Sequence, residues 1–363
     1  MHLPFKYCEP AFFSGLCDDP VLQVRVRPLG RSLLFDCGQI HHLAKRVLRS
    51  IDAVFISHAH MDHFMGMDTL IRHVLVAPRT IEIYGPPGIA ARLEHKLRSY
   101  DWNLAEDFWC SFRVTEVHAE RLYAFVLAGP EGFACRPEGV AASAGRLVYA
   151  NRFVRVEAQS ADHKIPVLIY RISEIPGFSV DEERLAALGL VPGPWLGELK
   201  SRYFSGTLSG MPLRVRRSSG AEPREEWVAD AAALYEDVRV QNPPAAIGYF
   251  SDIGWTPDNR RKLKGLFSDL TLLIGECTFL AQDVARARAS SHLCTTDINT
   301  LLHDLRPAYF LPMHLSKSYL GQSEKLFDEL KPPPGTTILE LPERLTPRPL
   351  LSADLPPVAR GRW

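Results

Sequence analysis

Excess charge is the first thing this 363-residue chain lacks: Lys plus Arg and Asp plus Glu stand at 42 each, a formal net charge of zero. Without a global field there is nothing to gather nucleic acid or an anionic membrane from a distance, so such a partner must be held by a local patch. Cysteine is scarce. Seven residues with no CxxC pair exclude a disulfide framework, and Cys37 and Cys277 stand in apolar, strand-like contexts where buried free thiols are expected. No apolar run approaches the length that spans a bilayer, and the start, Met1 to Lys6, lacks the basic cluster and apolar core of a secretion signal. The expectation is a cytosolic protein with no membrane partner. No internal repeat is visible, and 46% hydrophobic residues suffice for a substantial core.

What is present is alternation of strand and helix patterns. Leu22, Val24 and Val26 alternate with Gln23, Arg25 and Arg27, then a turn leads into Leu33-Leu34-Phe35, which predicts a hairpin. Ile40, Leu43, Ala44, Val47 and Leu48 fall at helical spacing, and Ile51 to Ile56 reads as a buried strand. Thr80 to Tyr84, Ala245 to Phe250, Leu270 to Ile274, Tyr309 to Leu311 and Thr336 to Leu341 predict further strands, with helices near 89–98 and 257–267. This rhythm argues for an α/β layered fold in one domain over 1–363. Between Ser173 and Pro244 it breaks into Gly, Pro and charge, centred on Val191-Pro192-Gly193-Pro194-Trp195, and residues 173–244 are expected to be a protruding arm insertion. Residues 128–145 read as an irregular surface excursion and 342–363 as a Pro-rich tail.

The strand ending at Ile56 delivers Ser57 and then His58-Ala59-His60-Met61-Asp62-His63. Along an extended loop, side chains two apart point the same way, so His58 and His60 can ligate one ion while Asp62 and His63 turn toward a second. Four ligands cannot close two sites. His163 before the strand 165–172, Asp252 after the strand 245–250 and His314 after Tyr309-Phe310-Leu311-Pro312-Met313 stand at strand ends and can supply the rest. The division is His58, His60 and His163 on one ion, Asp62, His63 and His314 on the other, with Asp252 bridging. His41, His42, His73, His95, His118 and His303 lack that context and are read as structural.

This order of ligands, with the residues around it, resembles the metallo-β-lactamase superfamily and, within it, the ribonuclease Z family. The first loop matches HxHxDH. Asp162-His163-Lys164-Ile165-Pro166, Phe250-Ser251-Asp252, Gly275-Glu276-Cys277-Thr278-Phe279, Ser291-His292-Leu293-Cys294-Thr295 and Met313-His314-Leu315-Ser316 are similar to successive family segments. Leu190 to Pro194 with Gly197-Glu198-Leu199-Lys200 resembles the arm that grips transfer RNA. The resemblance implies a four-layer αβ/βα sandwich, two zinc ions, frequent homodimers and endonucleolytic trimming of precursor tRNA 3′ ends.

On that basis Asp62 would orient and deprotonate a metal-activated water, and His292, oriented by Glu276, would protonate the departing oxygen. Lys200, Arg214, Arg216 and Arg217 of the arm could meet phosphates, and Trp195 could stack or pack. Arg260, Arg261, Lys262 and Lys264 read instead as an ordinary exposed helix face. His and carboxylate ligands also accept Mn2+ or Fe2+ in place of Zn2+. The alternative reading is a hydrolase of the same fold acting on a small phosphodiester such as a cyclic nucleotide. A noncatalytic metal-binding scaffold is the weakest reading, since no ligand position is missing.

Overall fold

The computed structural model describes residues 3–143, 145–218, 222–240 and 244–345, and these fall into two compact units. The larger comprises 1–174 with 245–363, the smaller 175–244.

Among the described residues the larger unit holds two sheets. The first runs Cys8–Phe12, Leu22–Val26, Arg31–Phe35, Ile51–Phe55, Thr80–Gly85, Ser111–Val117, Arg121–Ala128 and Cys135–Ala142, each strand bonded to the next. Its four central strands, from Arg31–Phe35 to Ser111–Val117, are parallel. The second is ordered Thr337–Ile338, Tyr309–Met313, Leu272–Glu276, Ala246–Phe250, Pro166–Glu174, Val154–Asp162, Leu147–Ala150. Its first four strands are parallel, while Pro166–Glu174 runs against Ala246–Phe250.

Burial follows the two periods in the sequence. Leu34, Val54, Ile81, Ile83, Phe112 and Val114 face outward from the first sheet onto Leu70, Ile71 and Val74 of the helix Met67–Val74 and Leu93 of Ile89–Leu97. Alternate residues Leu33, Phe35, Ala53 and Phe55 meet Leu168, Tyr170, Ile247, Tyr249 and Leu311 of the second sheet. The outer face of that sheet, with Val167, Phe250, Leu273 and Phe310, packs on Leu263 and Leu266 of Pro257–Leu266 and Ile298, Leu301 and Leu302 of Thr295–Leu305. The layers are therefore helix, sheet, sheet, helix, the sandwich that the resemblance implies. Between the sheets Phe35 stacks on Phe55 at 4.7 Å and Phe55 on Tyr84 at 4.9 Å, with Tyr170 edge-on. Each such ring contributes about 1.5–3 kcal/mol by burial.

Several sequence expectations are corrected. The helical spacing at 40–48 yields a helix only over Lys45–Arg49, the preceding residues turning to bury Ile40 and Leu43. Residues 128–145 are not an irregular excursion: Cys135–Ala142 is the exposed edge strand of the first sheet, with a register shift where Phe125 pairs with Pro137. Solvent on both faces of an edge strand removes the alternation that would announce it. The strand expected over 336–341 shrinks to Thr337–Ile338. Of the tail, Pro342 to Leu345 is tied to the amino-terminal loop, Leu16 N–H donating to the Pro342 carbonyl and Leu345 N–H to Asp18, while 346–363 lie outside the described residues.

The smaller unit has its own elements: helices Glu182–Ala187, Pro194–Ser205 and Ala231–Val238, and a two-stranded ribbon, Leu213–Arg217 with Arg224–Val228. Its core includes Leu185, Leu190, Trp195, Leu199, Leu213, Val215, Leu234, Tyr235 and Val238. Trp195 packs, 4% exposed, and donates Nε1–H to the Val191 carbonyl.

Candidate metal centre

Parallel strands align their carboxyl ends, and this is what assembles the site. Register Phe35 beside Phe55 places Asp36 next to the loop from Ser57 to His63. Register Phe250 beside Gly275 and Glu276 beside Met313 brings Asp252, Glu276 and His314 to one end of the second sheet. The tight turn between Asp162 and Pro166 presents His163 there as well. Buried Asn259 clamps that turn, accepting from Asp162 N–H and donating to the Asp162 carbonyl. The two sheets are pinned at this end: Tyr170 donates its hydroxyl to the Ile56 carbonyl and Leu168 its N–H to the Ser57 carbonyl. Ligand sites lie outside the carboxyl ends of such strands as a rule.

Asp252 sits at the centre, 3% exposed. Its Oδ2 lies 3.8 Å from His58 Nε2, 3.7 Å from His163 Nε2, 3.5 Å from His63 Nε2 and 3.9 Å from His292 Nε2, and its Oδ1 lies 3.3 Å from His314 Nδ1. His60 joins His58 and His163 in one group around Asp252, and Asp62, His63 and His314 make the other. Asp62 Oδ2 is 3.1 Å from His314 Nε2 and 3.6 Å from His63 Nε2. Donor atoms bound tetrahedrally to a common ion at roughly 2.0–2.1 Å stand about 3.3 Å apart, close to these separations. His58 Nε2 and His63 Nε2 are buried and make no hydrogen bond. A buried ring nitrogen without a partner is costly in a protein that leaves it so, and an ion satisfies it. The donor set of imidazole and carboxylate suits zinc, manganese or iron.

The rings are held from behind. His63 Nδ1 is 2.9 Å from Asp36 Oδ2, His58 Nδ1 is 3.0 Å from Ser57 Oγ, and His163 Nδ1 donates to the Ser291 carbonyl at 2.8 Å. Asp36 is fully buried and also accepts Ser57 N–H at 2.7 Å, Ser57 Oγ–H at 2.8 Å and the Tyr249 hydroxyl at 2.8 Å. Such partners fix ring orientation and tautomer. Asp36, Ser291 and His314 all adopt left-handed backbone, at φ 54°, 59° and 61°, which non-glycine residues keep only where surroundings force it.

A third group adjoins the first two. Glu276, fully buried, accepts Ile253 N–H at 2.7 Å, Leu293 N–H at 3.2 Å and the Thr278 hydroxyl at 2.5 Å, and its Oε2 lies 3.0 Å from His292 Nδ1. Desolvation of the half-buried ring opposes its charge, but the carboxylates of Glu276, Asp252 and Asp62 together outweigh it and raise His292 to about 9 in the metal-free protein. In the metal-free protein burial drives His58 down to about 3, with His63 beside it. Burial also disfavours charged His63, yet Asp252 and Asp36 carry it well above its ordinary value. Asp252 itself, though desolvated, is held well below the carboxylate range by His314 and His63.

One side of the centre is buried and the other opens to a cleft of about 370 Å³. Asp62, His292 and His314 line it together with Asp18, Asp19, Phe279 and Lys317, whose Nζ is 3.4 Å from Asp19. The expected ligands His58, His60, Asp62, His63, His163, Asp252 and His314 thus meet, and His292 and Glu276 adjoin them. Asp36, Ser57, Tyr249 and Thr278 escape a reading of the sequence; a lone acid closing an apolar strand is the only signal Asp36 leaves. Lys200, Arg214, Arg216 and Arg217 belong to the smaller unit. Arg214 pairs with Glu225 and Arg217 with Glu226 across the ribbon, whereas Lys200 and Arg216 are in no ion pair among the described residues. Arg260 to Lys264 pair with Asp258 and Asp304 on an exposed helix.

Residues 31–155 match the family model described as beta-lactamase superfamily domain. Among curated relatives, Ribonuclease Z of Deinococcus radiodurans is 28% identical over 291 residues, covering 79% of this chain and 83% of that one. Ribonuclease Z of Methanosarcina mazei is 25% identical, covering 87% and 90%, and Ribonuclease BN of Cronobacter sakazakii is 27% identical, covering 80% of each. The crystal structure of human tRNase Z, short form, superposes with a TM-score of 0.50 at 14% identity over 93% of this chain and 98% of that one, a likeness of fold.

Proposed function

We propose that this chain, similar over residues 31–155 to the beta-lactamase superfamily domain and over most of its length to ribonucleases Z and BN, is a metal-dependent hydrolase that cleaves a phosphodiester of RNA, at the 3′ end of precursor tRNA. The observation that carries the reading is the single buried carboxylate of Asp252, shared by two three-residue groups and flanked by the His292–Glu276 pair. His58, His60 and His163 would hold one zinc ion, Asp62, His63 and His314 the other, and Asp252 both. When bound, the pair of ions supplies Lewis acidity toward a phosphoryl oxygen and brings the pKa of water down to about 7.

The remaining chemistry belongs to side chains. Asp62, half-exposed at the cleft, orients the attacking water and accepts its proton. His292 donates Nδ1–H to Glu276 and turns Nε2 toward Asp252, so the proton on Nε2 is the one available to the departing ribose oxygen. The Glu276 carboxylate at Nδ1 favours the charged form of that ring. The cleft itself carries Asp18, Asp19 and Asp62 beside Lys317 and the His292 and His314 rings, so bound cations would make it more receptive to a phosphodiester. Residues 175–244, with Lys200, Arg214, Arg216 and Arg217, are proposed to grip the RNA.

The test is cleavage of a 3′-extended precursor tRNA beside bis-p-nitrophenyl phosphate, with and without chelator. Chelator-sensitive cleavage at the 3′ end is expected. Efficient hydrolysis of the small diester with no action on tRNA at low salt, where phosphate contacts are strongest, would replace this reading with a small-molecule phosphodiesterase.

A further inference from the structure

Trp227 differs from the other described tryptophans. Trp195 is buried, Trp102 and Trp109 pack edge-on at 5.6 Å, and Trp255 lies under the Arg260 guanidinium, whereas Trp227 is 66% exposed. It stands on the strand Arg224–Val228, paired antiparallel with Leu213–Arg217. Leu213 and Val215 enter the core of the smaller unit, so alternation sends Arg214 and Arg216 to the opposite face. The register sets Trp227 directly across from Arg214, and Glu225 across from Arg216. Among the described residues no ring stacks on the Trp227 indole, no cation covers it and no acceptor takes its Nε1–H.

Charge alone would grip RNA poorly here. Residues 175–244 carry ten Asp and Glu against eight Lys and Arg. Within them the ribbon is the most positive element, with Arg214, Arg216, Arg217 and Arg224 against Glu225 and Glu226, and two of those arginines are already paired with the glutamates. What the outer face offers beyond that is a free aromatic surface beside the unpaired Arg216. A flat π-face next to a cation is what an unpaired base and its phosphate fit, whatever the base, because every base can stack.

Resting on the reading that the substrate is RNA, we propose that Trp227 is a stacking platform for an unpaired nucleotide, with Arg216 on the same face of the ribbon taking its phosphate. Stacking is short-ranged and independent of ions, while phosphate contacts release counterions, so the two contributions separate by salt dependence.

The experiment measures equilibrium binding of 3′-extended precursor tRNA and of oligouridylate to the full-length metal-loaded protein at several salt concentrations, for wild type, Trp227→Ala, Trp227→Phe and Arg216→Gln. Trp227→Ala should bind both RNAs roughly five- to hundredfold more weakly at every salt concentration, with an unchanged slope of log K against log salt. Trp227→Phe should recover most of the loss. Arg216→Gln should instead flatten the slope by roughly one phosphate contact. Every variant should match wild type in circular dichroism and in metal content by elemental analysis, which shows that each is folded and loaded. Wild-type binding by Trp227→Ala overturns the stacking platform and leaves the RNA reading intact, as does a fall in mass on light scattering, which would make the indole a self-association contact. Absence of RNA binding by the wild-type protein at low salt removes the reading on which this one rests.

Discussion

Asp36 is not itself a candidate ligand, yet its replacement by Asn should weaken metal binding. The substitution is nearly isosteric, and Asn tolerates the left-handed backbone that Asp36 adopts at φ 54°, so the conformation survives. What changes is acceptor capacity. The carboxylate receives Ser57 N–H, the Ser57 hydroxyl, the Tyr249 hydroxyl and His63 Nδ1–H within 2.7–2.9 Å. An Asn amide keeps one oxygen and turns an NH2 group against donors. His63 then loses the partner that keeps its proton on Nδ1 and leaves Nε2 free for an ion. Changes behind metal-ligating histidines typically cost 10–100-fold in affinity, or about 1.4–2.8 kcal/mol. Competition of the metal-free protein with a chromogenic chelator measures this, alongside Tyr249→Phe, which removes one of the four bonds and should cost less. Folded Asp36→Asn protein that binds metal as tightly as wild type would refute the reasoning.

Other outcomes follow from the same structure. His292→Ala and Glu276→Ala should each lower phosphodiester turnover about a hundredfold or more, within the range for general acid catalysis, with metal content unchanged by elemental analysis. Deleting residues 178–240 and closing the gap with a short linker should abolish tight precursor tRNA binding yet spare hydrolysis of bis-p-nitrophenyl phosphate; Glu174 N–H bonds the Ala245 carbonyl at 3.0 Å, so the ends already meet. Gly275→Ala should lower the melting temperature, at a cost of about 1–3 kcal/mol, because a Cβ there would stand 2.0 Å from the buried Phe250 ring.

The gathering of the candidate ligands is legible in the sequence because these residues announce themselves locally: each follows or precedes an apolar strand, and parallel strands bring such ends together. His58 to His63, His163, Asp252 and His314 needed no knowledge of which strand neighbours which. Asp36 did, since its value comes only from lying beside Ser57 and Tyr249 across a sheet and between sheets. Residues 175–244 read as irregular for a different reason. The alternation in Leu-Arg-Val-Arg-Arg lasts only four residues, and Arg-Glu-Glu-Trp-Val shows no apolar face at all in its first three, so the period of two is too short to stand out. Trp195, named from the sequence as a residue that stacks or packs, packs into the unit's own core, while Trp227 drew no attention because nothing in its neighbours distinguishes an exposed tryptophan from a buried one.

The central claim is that Asp252 joins two metal sites, and a crystal structure of the metal-replete protein, with anomalous scattering collected at the zinc edge, tests it most directly. Two ions are expected, one within bonding distance of His58, His60 and His163, the other of Asp62, His63 and His314, with the Asp252 carboxylate touching both. A single ion, or ions held by other residues with Asp252 free of them, would contradict the account.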